Sequence, residues 1–147
     1  MFKYDIITPY NIKINKKIID KIFIIIKKEI DITQEWVLNI IFTSKNEIKK
    51  LNNTYRWIDK ETDVLSFHYY DDFKNKKDQI VWELVFCEEK IKLQWKEYKL
   101  WEEYEFYKLL IHSILHILWY DHEDDKDYEN MQKKENTIWE KLFEKNK

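Results

Sequence analysis

"IHSILHILWYDH", residues 111–122, carries three of the chain's four histidines: His112, His116 and His122. Leu109, Leu110, Ile114, Leu115, Ile117 and Leu118 surround the first two with apolar side chains, so the segment reads as a buried helix. Residues four apart on a helix share a face, which sets the two imidazoles side by side. Neutral imidazoles in an apolar helix are costly unless something satisfies their nitrogens. His122 lies beyond the expected helix end, where the chain can bend back to the same point. Three imidazoles with an open fourth position make a catalytic type of zinc site. Their spacing, H-x-x-x-H-x-x-x-x-x-H, matches the ligand spacing of metzincin proteases. Two core histidines bonded to carbonyls would be the plainer reading of a pair; the third histidine favours the metal. No fourth protein ligand is evident. Cys87 is remote in sequence, whereas Asp121 and Glu123 suit the role of orienting a ring.

A peptidase would need more than ligands. In H-E-x-x-H enzymes the residue after the first histidine is a glutamate that acts as general base. Here that residue is Ser113, which offers no basicity near neutral pH.

Outward from this segment, the chain reads as alternating strands and helices. Residues 3–8 form a strand candidate, stopped near Pro9. From Asn15, a good N-cap, Ile18, Ile19, Ile22, Ile25 and Ile26 recur at helical spacing to about Ile30. Lysines 16, 17, 21, 27 and 28 take the other face. Strands are expected at 36–44, 62–70 and 79–87, and a helix from Ser44 to about Tyr55. Further helices fit 88–99, 101–119 and roughly 124–145. Such alternation points to a single α/β or α+β domain over residues 1–147, with helices covering a small sheet.

At 147 residues and a net charge of −2, the chain is long enough for one core and lacks a strongly basic signature. One cysteine excludes an internal disulfide and suits a reducing compartment. No segment has the order of a signal peptide, and the longest apolar run, Ile22 to Ile26, is too short to span a bilayer. A cytoplasmic protein is expected. The chain has no Gly and no Ala but seven Trp, although glycine normally supplies positive-φ turns. Its only arginine, Arg56, stands among 26 Lys and Arg residues. Where lysine is so freely used, a lone arginine hints at a fork of donors for phosphate.

Two long stretches resemble the YbeY-type bacterial rRNA-maturation endoribonucleases. The C-terminal signature of that family, H-G-x-L-H-L-x-G-Y-D-H, has its counterpart in "HSILHILWYDH". The central signature, L-N-x-x-Y-R-x-x-D-x-x-T-D-V-L-S-F-P, has its counterpart in "LNNTYRWIDKETDVLSFH". A later L-G-D-I element looks like "VWELVFC", with Glu83 for the usual Asp, and Met131 and Glu135 fit the family's closing helix. Ser113, Trp57, Trp119 and Trp82 stand at glycine positions, and Glu61 and His68 at prolines.

The resemblance implies a small mixed sheet flanked by helices, with the metal site on a helix of the C-terminal half and its exit loop. It implies a zinc-dependent, single-strand-specific endoribonuclease acting in small-subunit rRNA 3′-end maturation and ribosome quality control. One Zn²⁺ would sit on His112, His116 and His122, with Asp121 and Glu83 as supporting carboxylates. Arg56 would serve the scissile phosphate. RNA and the small ribosomal subunit with its assembly factors are the implied partners. Lys74, Lys76 and Lys77 are candidate RNA contacts, as are the lysines of the first helix; Tyr69 and Tyr70 could stack bases. The competing readings are a zinc peptidase-like hydrolase and a non-catalytic, zinc-stabilised assembly factor. Trp119, at the expected bend before His122, raises a separate expectation. Either AT-rich codon pressure replaced glycines by Trp, or UGA codons read as Gly in the source organism have been translated as Trp.

Overall fold

A computed structural model describes residues 2–30, 36–68, 80–98, 102–119 and 125–143. Among these the chain order is β1 (Phe2–Ile6), α1 (Lys16–Ile30), β2 (Trp36–Thr43), α2 (Lys45–Arg56), β3 (Val64–His68) and β4 (Ile80–Cys87). Three helices follow: α3 (Glu88–Tyr98), α4 (Glu102–Trp119) and α5 (Asp125–Phe143). The mixed α/β class is as expected. No described helix is long and apolar enough to cross a membrane.

The chain forms two compact units, one of residues 1–14 and 33–106, the other of residues 15–32 and 107–147. The first holds a four-stranded sheet in the order β1-β2-β4-β3. β1 and β4 both run parallel to β2, and β3 closes one edge antiparallel to β4. The two faces of the sheet follow from alternation. On one face lie Leu38, Ile40 and Phe42 of β2 with Trp82, Leu84 and Phe86 of β4, all buried. Phe42, Phe86 and Phe106 meet there with ring centroids 5.1–5.9 Å apart. On the other face α2 packs against β3 and β4, joining Ile48 to Leu65, Val85 and Cys87.

Ser44 starts α2 as expected, its Oγ accepting the Glu47 N–H at 3.2 Å. The other end is unusual. Trp57 takes φ 57° and ψ 30°, the left-handed conformation, and its N–H reaches the Asn53 carbonyl at 3.1 Å. It is the one non-glycine residue with positive φ among those described, and it is 90% exposed. Here a glycine position of the family signature meets a backbone that asks for glycine. Trp82 and Trp119 differ. Trp82 lies in regular β4 register between Leu38 and His68. α4 ends at Trp119, the bound expected for this helix, and the bend expected before His122 lies outside the described residues.

In the second unit α1 packs on α5. Asn15 caps α1 as expected, its Oδ1 accepting the Lys17 N–H at 3.0 Å, and its own N–H donates to the Tyr107 hydroxyl at 2.8 Å. Ile19, Ile22, Phe23 and Ile26 are buried, as are Met131, Ile138 and Leu142 of α5. Polar contacts fix the register. Lys134 Nζ donates to the Glu29 carboxylate at 3.2 Å, and Lys141 Nζ donates to the other carboxylate oxygen. Lys21 Nζ donates to the Leu142 carbonyl at 3.2 Å.

Two predictions follow from this packing. A Cβ in the left-handed region costs about 1–2 kcal/mol, of which glycine's extra unfolded-state entropy returns about half. Trp57→Gly is therefore expected to raise stability, with a thermal midpoint higher by a few degrees; an unchanged or lower midpoint would contradict the strain. Peptide mass spectrometry of the protein from its native source decides, at the same position, between true Trp and a recoded glycine. Glu29 provides the second. Its hydrogen bonds with Lys141 and Lys134 hold its carboxyl below the usual carboxylate range. Its stabilising contribution is thus complete above the ordinary carboxylate pKa and is lost as pH falls through the lowered one. Glu29→Gln should cost up to about 1 kcal/mol at neutral pH and flatten that acid limb in denaturation measured against pH.

Candidate metal centre

α4 brings two of the three histidines together. Leu110, Ile111, Ile114, Leu115 and Ile117 are buried, and Lys108, His112 and His116 form an exposed stripe at i, i+4 and i+8. The expectation of buried imidazoles is corrected. The apolar residues fill the rest of the helix surface, and a 3.6-residue period leaves positions four apart on one open line. The two rings lie nearly parallel, 10° between planes, with centroids 6.5 Å apart. Imidazoles exposed in this way are open to a metal ion.

Glu135 of α5 adds what the sequence reading left unassigned. His112 Nδ1 is hydrogen-bonded to Glu135 Oε1. An ionised carboxylate can only accept, so this contact calls for a proton on Nδ1, and in the neutral ring that leaves the lone pair on Nε2. That is the tautomer that binds a metal through Nε2, with a carboxylate behind the ring. In the sequence, Glu135 had a signal of its own. Met131, Ile138 and Leu142 make the buried stripe of α5, and Glu135 is a charge set at its i+4 position. The donor set fits zinc: imidazole nitrogen, neutral, carboxylate-supported.

His122 and Asp121 lie outside the described residues, as do Lys74, Lys76, Lys77, Tyr69 and Tyr70. Among the described residues no group of three His, Cys, Asp or Glu side chains is placed to hold a metal. Glu83 stands mid-strand in β4, half-buried, opposite Asn39 and Phe67. Cys87 is fully buried. Burial pushes its thiol pKa up, so it stays protonated and suits neither ligation nor nucleophilic attack.

Arg56 ends α2 in the sheet unit, where its charge also complements the helix dipole. Its Nη2 donates to the Ser66 carbonyl at 3.3 Å, and the residue is exposed. One of its five N–H donors is thereby engaged with β3, which ties the guanidinium to the backbone of the central signature.

Known proteins agree with one another about this chain. A family model described as Endoribonuclease YbeY matches residues 7–143. The Endoribonuclease YbeY of Clostridium beijerinckii is 33% identical over 152 residues, covering 89% of this chain and 91% of that protein. That of Mycoplasmopsis pulmonis is 36% identical, covering 86% and 87%. The solution structure of TM1509 from Thermotoga maritima superposes with a TM-score of 0.66 at 29% identity, covering 97% of this chain and 89% of that one.

Ser113, between the two histidines, is buried, and its Oγ has no hydrogen-bond partner among the described residues. Ser113→Ala removes a desolvated hydroxyl and improves helix propensity by about 0.5 kcal/mol. It is expected to raise the unfolding midpoint in urea while leaving metal content and RNA cleavage intact. Loss of cleavage in a stable Ser113→Ala protein would instead give the hydroxyl a part in the chemistry.

Proposed function

The chain belongs to the Endoribonuclease YbeY family, and from that premise we propose that it cleaves single-stranded RNA with one zinc ion held by His112, His116 and His122. As a family member it is an endoribonuclease, a hydrolase whose substrate is RNA and whose family role is rRNA maturation. The finer reading rests above all on one observation. Two parallel imidazoles stand exposed on α4, and the first has its Nδ1 held by a carboxylate. His122, which follows the helix, completes the set.

Zinc, when bound, supplies a Lewis acid for a phosphoryl oxygen and a water of near-neutral pKa. The protein's own groups do the rest. His112 and His116 present Nε2 lone pairs from a rigid helix. Arg56 binds the scissile phosphate and meets charge developing on its oxygens with a planar fork of donors. Ser113 offers no base, which turns the site away from peptide hydrolysis and toward phosphoryl transfer. Asp121 and Glu83 remain supporting carboxylates in this reading, and Lys74, Lys76 and Lys77 contacts to the RNA backbone. The chain acts as one catalytic domain, consistent with a family match that runs through both compact units. Its setting is the cytoplasm, on the small ribosomal subunit and its assembly factors, at the 3′ end of the rRNA. The family membership does not favour a role as a zinc-clipped assembly factor without catalysis.

Metal analysis and cleavage of single-stranded rRNA fragments test the proposal together. The wild type should carry zinc near one per chain, and His116→Ala should lose it. Arg56→Lys keeps the charge but loses the fork, and should cleave about ten- to a hundredfold more slowly with little change in thermal midpoint. Zinc-free wild type after metal-replete purification would overturn the metal assignment; full activity in Arg56→Lys would remove Arg56 from the chemistry.

A further inference from the structure

Glu135 is hard to explain as a surface charge. Its side chain is 25% exposed, it lies on the buried stripe of α5, and its carboxylate engages Nδ1 of His112 across 23 residues of sequence. An ordinary ion pair would require His112 to be protonated on both nitrogens, which is incompatible with ligation. The neutral ring needs only one proton, on the nitrogen that faces the carboxylate. Resting on the zinc reading above, we propose that Glu135 is the positioning residue of His112. It pins the ring's rotation, holds the Nδ1–H tautomer, and makes Nε2 a stronger electron donor to the metal.

Three features support a positioning role over mere packing. The contact is made to Nδ1, which leaves Nε2 as the nitrogen that would hold a metal. It comes from a different helix, so it fixes the ring against α5 as well as against its own backbone. That helix is itself anchored: Glu29 of α1 takes hydrogen bonds from Lys134, the neighbour of Glu135, and from Lys141 about two turns further on. Beside the pair lies a cleft of about 370 Å³, lined in part by Lys108, His112, Glu135, Asn136 and Trp139. Water admitted there can replace a missing carboxylate, so truncation of Glu135 leaves Nδ1 solvated and the fold intact.

The experiment compares wild type, Glu135→Gln, Glu135→Ala and His116→Ala. Zinc affinity is measured by competition with a chromogenic chelator. Histidine ring tautomers are read in the metal-free proteins by long-range ¹⁵N–¹H NMR, and thermal unfolding checks the fold. Glu135→Ala should bind zinc 10- to 100-fold more weakly, and Glu135→Gln, whose amide oxygen still accepts from Nδ1, should recover part of the loss. In the metal-free spectra His112 should be the Nδ1–H tautomer in wild type and shift toward Nε2–H in Glu135→Ala. Wild-type affinity in Glu135→Ala, alongside loss in His116→Ala, would overturn the positioning role while leaving the metal site standing. A wild type that takes up no zinc would overturn the metal reading itself, and the role of Glu135 with it. An Nε2–H tautomer for His112 in the wild type would overturn the proposal whatever the affinities.

Discussion

Burial of the apolar residues of α4 decides where its imidazoles point. Leu110, Ile111, Ile114, Leu115 and Ile117 are each at most 3% exposed, and fully burying a side chain of this kind is worth about 1.5–3 kcal/mol. No contact that a histidine makes at the surface competes with their sum. The helix therefore has one rotation about its axis, and in that rotation the line through Lys108, His112 and His116 is the open one. The hydrophobic face thus does the positioning, and it leaves the two rings nearly parallel on the open side of the helix.

The second dependence is electrostatic and acts through α5. A helix alone fixes the Cα of His112 but leaves its ring free to turn. Glu135 removes that freedom, and Glu135 is only as well placed as α5. Burial of Met131, Ile138 and Leu142 sets the face of α5, while the Glu29 contacts to Lys134 and Lys141 and the Lys21 contact to Leu142 set its height along α1. Surface ion pairs contribute little singly. Here one carboxylate serves two lysines about two turns apart on the same helix, and register along the helix is what such a pair of contacts specifies.

Much of this was legible in the residues. The strand at 79–87 and the helices at 88–99 and 101–119 emerged from hydrophobic pattern because their periods are clean. Asn15 and Ser44 announced helix starts because a side-chain oxygen ahead of an apolar run has one common use. Arg56 and the histidines stood out by scarcity and spacing. What was not legible has physical reasons. The exposure of His112 and His116 was misread because a helix crowded with apolar residues on most sides looks buried on all of them, and only the i, i+4, i+8 line shows the gap. Glu135 was placed on the closing helix but given no task, since a partner 23 residues away depends on how α4 and α5 meet.

Trp57 and Ser113 show how the chain tolerates departures from the family signatures. Trp57 bears the cost of a left-handed backbone, yet its side chain is almost wholly in solvent, so no core must be rebuilt to hold it. The cost stays at the cap of α2, beyond Arg56, whose helical backbone is regular. Ser113 is the opposite case. It is buried between His112 and His116 in sequence, where a glutamate would have offered a base and a glycine would have weakened the helix. A serine is small enough for the buried face and keeps the helix continuous, at the expense of one desolvated hydroxyl. Each replacement alters a turn or a buried hydroxyl and leaves in place, in one unit, two parallel imidazoles with a carboxylate behind one of them and, in the other, a guanidinium braced on β3.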